Sequence, residues 1–181
     1  MDIWEGEHVR LRAPEPADGE LLARWERDSD ARRNGGMVRV PLGLPRWTAV
    51  ATEQATKSAD TDDVMLIIET LAGETAGRID VMRSDPRNGV FDYGIGLERS
   101  YWGKGYAADA LTILLRYYFG ERRYEKVNGL VFAYNERSRR FHESFGFTLE
   151  GTIRHAWYTN GRHWDVLWYG LTAEEFHAKI G

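Results

Sequence analysis

The chain has 181 residues, a formal net charge of −4 and no cysteine. The length suits one domain of about 100–200 residues with a core that needs no covalent staples. The missing cysteines exclude disulfides, thiolate metal sites and a cysteine nucleophile, and the acidic balance disfavours nucleic acid as a partner.

No apolar run reaches signal-peptide or membrane-spanning length, so the expectation is a cytoplasmic protein with no membrane partner. Residues 8–13 alternate in polarity and read as a strand that Pro14 and Pro16 break. Residues 17–28 read as a helix with Leu21, Leu22 and Trp25 inward and Asp18 and Glu20 at its positive end. Residues 34–45 carry Gly35, Gly36, Gly43 and two prolines and read as a mobile loop, followed by a short helix over 46–58. Residues 64–71 and 74–82 flank Ala72-Gly73 as a hairpin. A second turn at Asp85-Pro86-Arg87-Asn88-Gly89 leads to a strand over 90–97. On it Asp92, Gly94 and Gly96 share a face by period two, and two glycines in a strand suggest a bulge or a close backbone approach. Asp92 is either a proton acceptor or a solvated or salt-bridged strand carboxylate.

The stretch Tyr101-Trp102-Gly103-Lys104-Gly105-Tyr106-Ala107-Ala108 joins this strand to a helix marked by Ala107, Leu111, Leu114, Leu115 and Tyr118. Glycine admits positive φ and close approach of a ligand, and a helix's first amides lack internal partners. The turn is therefore either a tight turn that only needs glycine or a cradle for pyrophosphate. The dinucleotide fingerprint fails because Ala108 stands at its third glycine, and the P-loop of nucleoside triphosphatases fails because Lys104 precedes the second glycine.

Residues 126–134 are apolar on both faces, as a central strand would be. Asn135 reads as the cap of a short helix that Gly146 ends, with Ser138, Phe141, His142 and Phe145 on one face. Residues 147–158 and 163–171 flank Asn160-Gly161, a hairpin with Trp157, Trp164 and Trp168 clustered, and residues 172–180 close the chain as a helix with Phe176 and Ile180 inward.

The motif Trp102-Gly103-Lys104-Gly105-Tyr106-Ala107, with Asn135-Glu136-Arg137-Ser138 and Phe145-Gly146-Phe147 downstream, resembles the GNAT superfamily of acyl-CoA-dependent N-acyltransferases. It is most similar to the branch of ribosomal-protein N-terminal and spermidine acetyltransferases. The resemblance runs from Val9 to Leu171 and implies one acyltransferase domain over 1–181. The implied fold is α/β (α+β): a mixed, mostly antiparallel sheet of about seven strands with a splayed central parallel pair and flanking helices. It also implies acetyl-CoA or another short acyl-CoA as acyl donor, no metal, an amine acceptor (a protein N-terminus, a polyamine or an amine-bearing antibiotic or metabolite), and a chain compatible with a homodimer.

By the same resemblance Leu97, Trp102, Gly103, Lys104, Gly105, Tyr106, Ala107, Ala108, Asn135, Ser138 and Phe141 bind the cofactor. The catalytic candidates are His142, where many members carry a tyrosine that protonates the departing thiolate, Asp92 and Asn135. Trp102 departs from the Gln or Arg of the family signature, and Leu130 stands where some members carry a glutamate base. The Asn135 side chain can be cap and ligand together, Phe141 can be core, and His142 can be a buried hydrogen-bonded histidine. His155 and Asp165 are second-rank polar candidates beside the acceptor, their plainer readings being an exposed histidine and a strand-end aspartate. Asp28, Asp30 and the acidic run 60–63 could serve a polyamine or simply be solvated.

No Gly-x-Ser-x-Gly elbow is present, so direct transfer in a ternary complex fits better than a serine acyl-enzyme. There the backbone N–H near Leu97 would polarise the carbonyl. The alternative is a non-catalytic acyl-CoA sensor on the same fold, with which Trp102 and Leu130 agree and against which Asp92, His142 and Asn135 argue.

Overall fold

The computed structural model of the protein describes residues 2–57 and 61–180, the side chain of Ile180 excepted. Ser58, expected to end the second helix, Asp60 of the acidic run and the expected inward side chain of Ile180 lie outside that description.

The elements run β1 (Val9–Arg12), α1 (Asp18–Trp25), α2 (Ser29–Gly35), α3 (Leu44–Ala55), β2 (Met65–Thr70), β3 (Thr75–Asp85) and β4 (Val90–Leu97). They continue with α4 (Tyr106–Gly120), β5 (Lys126–Phe132), α5 (Glu136–Phe145), β6 (Thr148–Thr159), β7 (Arg162–Thr172) and α6 (Ala173–Ile180). The strands lie in the order β1-β2-β3-β4-β5-β7-β6, with β4 and β5 parallel. The expected mixed α/β fold with about seven strands is the one observed. Helix α2 is an addition to the sequence reading. Its heptapeptide carries no apolar period, and Asp28 starts it by accepting from the amides of Asp30 and Ala31.

Contacts divide the chain into two compact units, Met1–Val81 with Ile95–Leu115, and Met82–Gly94 with Arg116–Gly181. In the first, β1 pairs antiparallel with β2 from Val9↔Thr70 to Arg12↔Ile67, and β2 with β3, the register slipping between Ile68 and Glu69. The Glu98 amide donates to the Ala76 carbonyl at 2.9 Å, which holds the exit of β4 on β3. Gly77 sits at that contact, where a Cβ would overlap the Gly96 carbonyl oxygen and the Leu97 Cα. Leu22, Trp47 and Ala51 pack α1 on α3 beside Trp25 and Met65. Arg12 of β1 forks onto Asp18 of α1 at 2.8 and 2.9 Å and reaches Glu69 of β2 at 2.6 Å.

In the second unit β4 pairs with β5 from Val90↔Lys126 to Tyr93↔Gly129, while β5 pairs with β7 along its whole length. Phe91 lies against Tyr118 (4.7 Å between centroids) and Tyr124 (5.2 Å), and Phe119 against Phe176 (5.6 Å). Burying such rings contributes about 1.5–3 kcal/mol each. The β6–β7 hairpin turns at Asn160 and Gly161, both with positive φ (52° and 80°), the geometry that Asn-Gly favours.

Candidate active site

The turn after β4 lies in the first unit. Gly103 and Gly105 have φ of 72° and 81°, a region where a side chain would be strained. Gly103, Lys104 and Gly105 are exposed, and the 15-residue helix α4 starts directly afterwards. Among the described residues none accepts a hydrogen bond from the amides of residues 103–108; the Gly105 carbonyl already receives the Asp109 amide at 3.0 Å. These amides and the positive end of α4 offer hydrogen-bond donors suited to an anion. Lys104 Nζ stands 5.2 Å from the centroid of Tyr101, and Trp102 gives its indole N–H to the Leu97 carbonyl at 2.9 Å. Trp102 thereby ties the turn to the end of β4. The Leu97 amide precedes that of Glu98, which points to β3, so by strand alternation it faces the other edge.

Asp109, in the first turn of α4, was not singled out from sequence. Its carboxylate accepts from the amides of Glu7 (3.2 Å), His8 (2.7 Å) and Val9 (3.0 Å), and Gly6 leaves the room it occupies. It fixes α4 to the entry of β1 and sets His8 beside the turn, within 3.8 Å of where a Cβ on Gly105 would stand. An acidic residue in a first helical turn reads as a dipole partner, which hides this contact across 100 residues.

The remaining candidates lie in the second unit. Asp92 is 5% exposed, its Oδ1 receiving the Asn128 amide at 2.9 Å and its Oδ2 the Arg83 guanidinium at 2.5 Å. It is a salt-bridged strand carboxylate in this arrangement. Asn135 caps α5 by accepting from the Ser138 amide at 3.1 Å, and Gly146 closes the helix with φ of 109°.

His142 is 4% exposed. Its Nδ1 lies 2.7 Å from the Ser138 carbonyl, which can only accept, so Nδ1 carries the proton and Nε2, 2.8 Å from Tyr93 Oη, accepts from the phenol. Burial pushes the imidazole pKa below its ordinary value, partly offset by the Ser138 carbonyl, and burial pushes the Tyr93 phenol up. Gly129 is glycine because a Cβ there would stand 2.5 Å from Nε2. Phe141 is half-buried, its ring 5.5 Å from that of His142.

On the final hairpin Asp165 accepts from the His155 amide at 2.9 Å, holding a bulge where His155 has φ of 51° and is exposed. Trp157 stacks on Phe132 (4.6 Å) and Trp164 meets Tyr134 edge-on (5.0 Å). Among the described residues no group of three or more His, Cys, Asp or Glu could hold a metal ion, and no helix is long and apolar enough to cross a membrane.

Residues 8–148 match the family described as "Acetyltransferase (GNAT) domain". The chain is 32% identical over 181 residues to the SPbeta prophage-derived uncharacterized N-acetyltransferase YokL of Bacillus subtilis (strain 168), covering 100% of this chain and 99% of the other. It is 28% identical to YdaF of the same organism, provisionally named a ribosomal N-acetyltransferase, with 96% of each chain covered. Among solved structures, the spermidine N-acetyltransferase from Vibrio cholerae in complex with CoA and spermine superposes with a TM-score of 0.82 at 17% identity, over 93% of this chain and 98% of that one.

Proposed function

The chain belongs to the GNAT acetyltransferase family, and from that premise we propose that residues 1–181 form one acyltransferase domain that moves an acetyl group from acetyl-CoA to a primary amine by direct attack. The observation that carries the reading is the exposed turn 103–105, with two positive-φ glycines, running into the unpartnered first amides of α4. In this reading the amides of Gly103, Lys104, Gly105, Tyr106, Ala107 and Ala108 bind the diphosphate, and Lys104 adds a cation. Trp102 takes part through the backbone it anchors. The Leu97 N–H polarises the thioester carbonyl, Asn135 and Ser138 bind the pantetheine arm, and Phe141 packs against it.

Asp92 and His142 carry the proton-handling roles under two geometric conditions. Asp92 receives the amine proton through a chain of waters once the Arg83 pair opens. His142 protonates the thiolate only after Nε2 exchanges Tyr93 for a proton of its own, since the Ser138 carbonyl holds the resident proton on Nδ1. The acceptor is a protein N-terminus, a polyamine or another small amine, and the cytoplasm is the place of action. The relative in complex with CoA and spermine supports CoA as the donor's carrier and a soluble amine as the acceptor.

The test is thiol release from acetyl-CoA in the presence of a tripeptide with a free N-terminus, spermidine and an amino sugar, alongside calorimetric titration of acetyl-CoA. Release that depends on the amine is expected. Tight binding without release under any of them would favour the sensor instead. Gly105→Val should abolish acetyl-CoA binding, since a branched side chain at φ of 81° distorts the amide surface. Retained micromolar affinity would refute the cradle.

A further inference from the structure

We propose that Glu98 is the carboxylate that receives the ammonium group of the acceptor, which loses its proton through water to Asp92 before it attacks, and that it selects acceptors with a single primary amine over polyamines. The proposal rests on the acyltransferase reading and deepens it. All residues that hold Glu98 lie in the first unit.

Glu98 follows Leu97 directly and continues the extended backbone of β4, with φ of −60° and ψ of 147°. Alternation therefore turns its side chain to the face that carries Gly96, opposite to that of Leu97. Space is open above Gly96, where a Cβ would meet nothing within 4 Å.

The carboxylate is held from one side. Its Oε1 accepts from Arg24 Nη2 at 2.6 Å, Arg24 Nε at 3.1 Å and Trp25 Nε1 at 2.6 Å. Three donors on one oxygen fix the plane of the group, whereas Oε2 has no partner among the described residues. The Glu98 side chain is 24% exposed, so a ligand can reach it. An oriented carboxylate with one open oxygen is a ready acceptor for a charged N–H donor. The two acids of β4 and its exit thus differ: both Asp92 oxygens are occupied, and one Glu98 oxygen is not.

The surrounding charge sets the selectivity. The Arg24 side chain is 63% exposed beside Glu98. Arg99 is the next residue, paired with Asp28 at 3.0 Å and lying 5.6 Å over the Trp102 ring. Arg99 also lies 3.7 Å from Asp30, so the carboxylates here are each matched by a guanidinium, and a second or third cation on the acceptor finds none of the excess negative charge that a polyamine site needs.

The experiment is steady-state kinetics of wild type and Glu98→Gln with the tripeptide and with spermidine. Glu98→Gln should raise the KM of the tripeptide roughly tenfold or more, the loss of one charge-assisted bond, while the KM for acetyl-CoA stays unchanged. Wild type should show a higher kcat/KM for the tripeptide than for spermidine. Should Glu98→Gln fail to fold, Glu98→Asp, which keeps the charge but withdraws it by one methylene, should raise the same KM. An unaltered acceptor KM in whichever variant folds, or a preference for spermidine, overturns the proposal with the acyltransferase reading intact. Wild type that binds acetyl-CoA but releases no thiol with any amine overturns that reading, and the role of Glu98 with it.

Discussion

Tyr93 and His142 illustrate how one phenol decides the chemistry of a ring. The Ser138 carbonyl fixes the proton on Nδ1, and the Tyr93 hydroxyl fills Nε2. Tyr93→Phe leaves a buried nitrogen without a donor, which costs about 1–3 kcal/mol. We expect a lower thermal midpoint and a changed imidazole 15N signal for His142; unchanged 15N shifts would show that the bond does not form in solution. The sequence made His142 visible as a titratable group on a helix face. Its enclosure was not legible, because Tyr93 lies 49 residues earlier and Gly129 had no local reason to be glycine.

Turns and caps were the elements best written into local sequence. Asn135, Gly146 and Asn160-Gly161 each act where short-range stereochemistry puts them. Contacts between elements were not so written: Asp109 meets β1 across 100 residues and Glu98 meets α1 across 74. The strongest element-level constraint is Gly77, where β3 and the end of β4 leave no volume for a side chain. Gly77→Val should force the two strands apart, with a loss of several kcal/mol on the scale of overpacked cores. Chemical denaturation measures it, and a loss below about 0.5 kcal/mol would mean that the contact relaxes freely. Asn135→Ala should remove a helix cap worth about 1 kcal/mol and weaken acetyl-CoA binding together. A stability loss with full affinity would leave Asn135 as cap alone.

Across the whole molecule, acid should be the weak side. Burial raises the pKa values of Asp18 and Glu69, but Arg12, with the Glu15 amide on Asp18 and Arg10 on Glu69, more than offsets this, and both lie below their ordinary values. A carboxylate with a lowered folded pKa stabilises above its unfolded pKa and loses that contribution as pH falls through the folded one. His142 is also lowered, so its neutral burial begins to oppose folding as pH drops below about 6.5. Melting temperature should therefore decline mildly from about pH 6.5 and steeply below about pH 4. Arg12→Leu should lower the plateau by leaving the buried Asp18 without its guanidinium and Glu69 with Arg10 alone; a melting temperature independent of pH between 3 and 7 would contradict the assignment.

β6 is the last strand in the order, it is 12 residues long, and most of it is exposed, including Leu149 (49%) and Ile153 (47%). An unpaired edge of that length is a template on which other chains can add strands. The break in register between Ile153 and Trp157, with His155 turned to positive φ, interrupts the template halfway along. The distortion that Asp165 secures should therefore hinder strand addition along this edge. Asp165→Ala should relax the kink and hasten turbidity on warming, even where thiol release is undiminished.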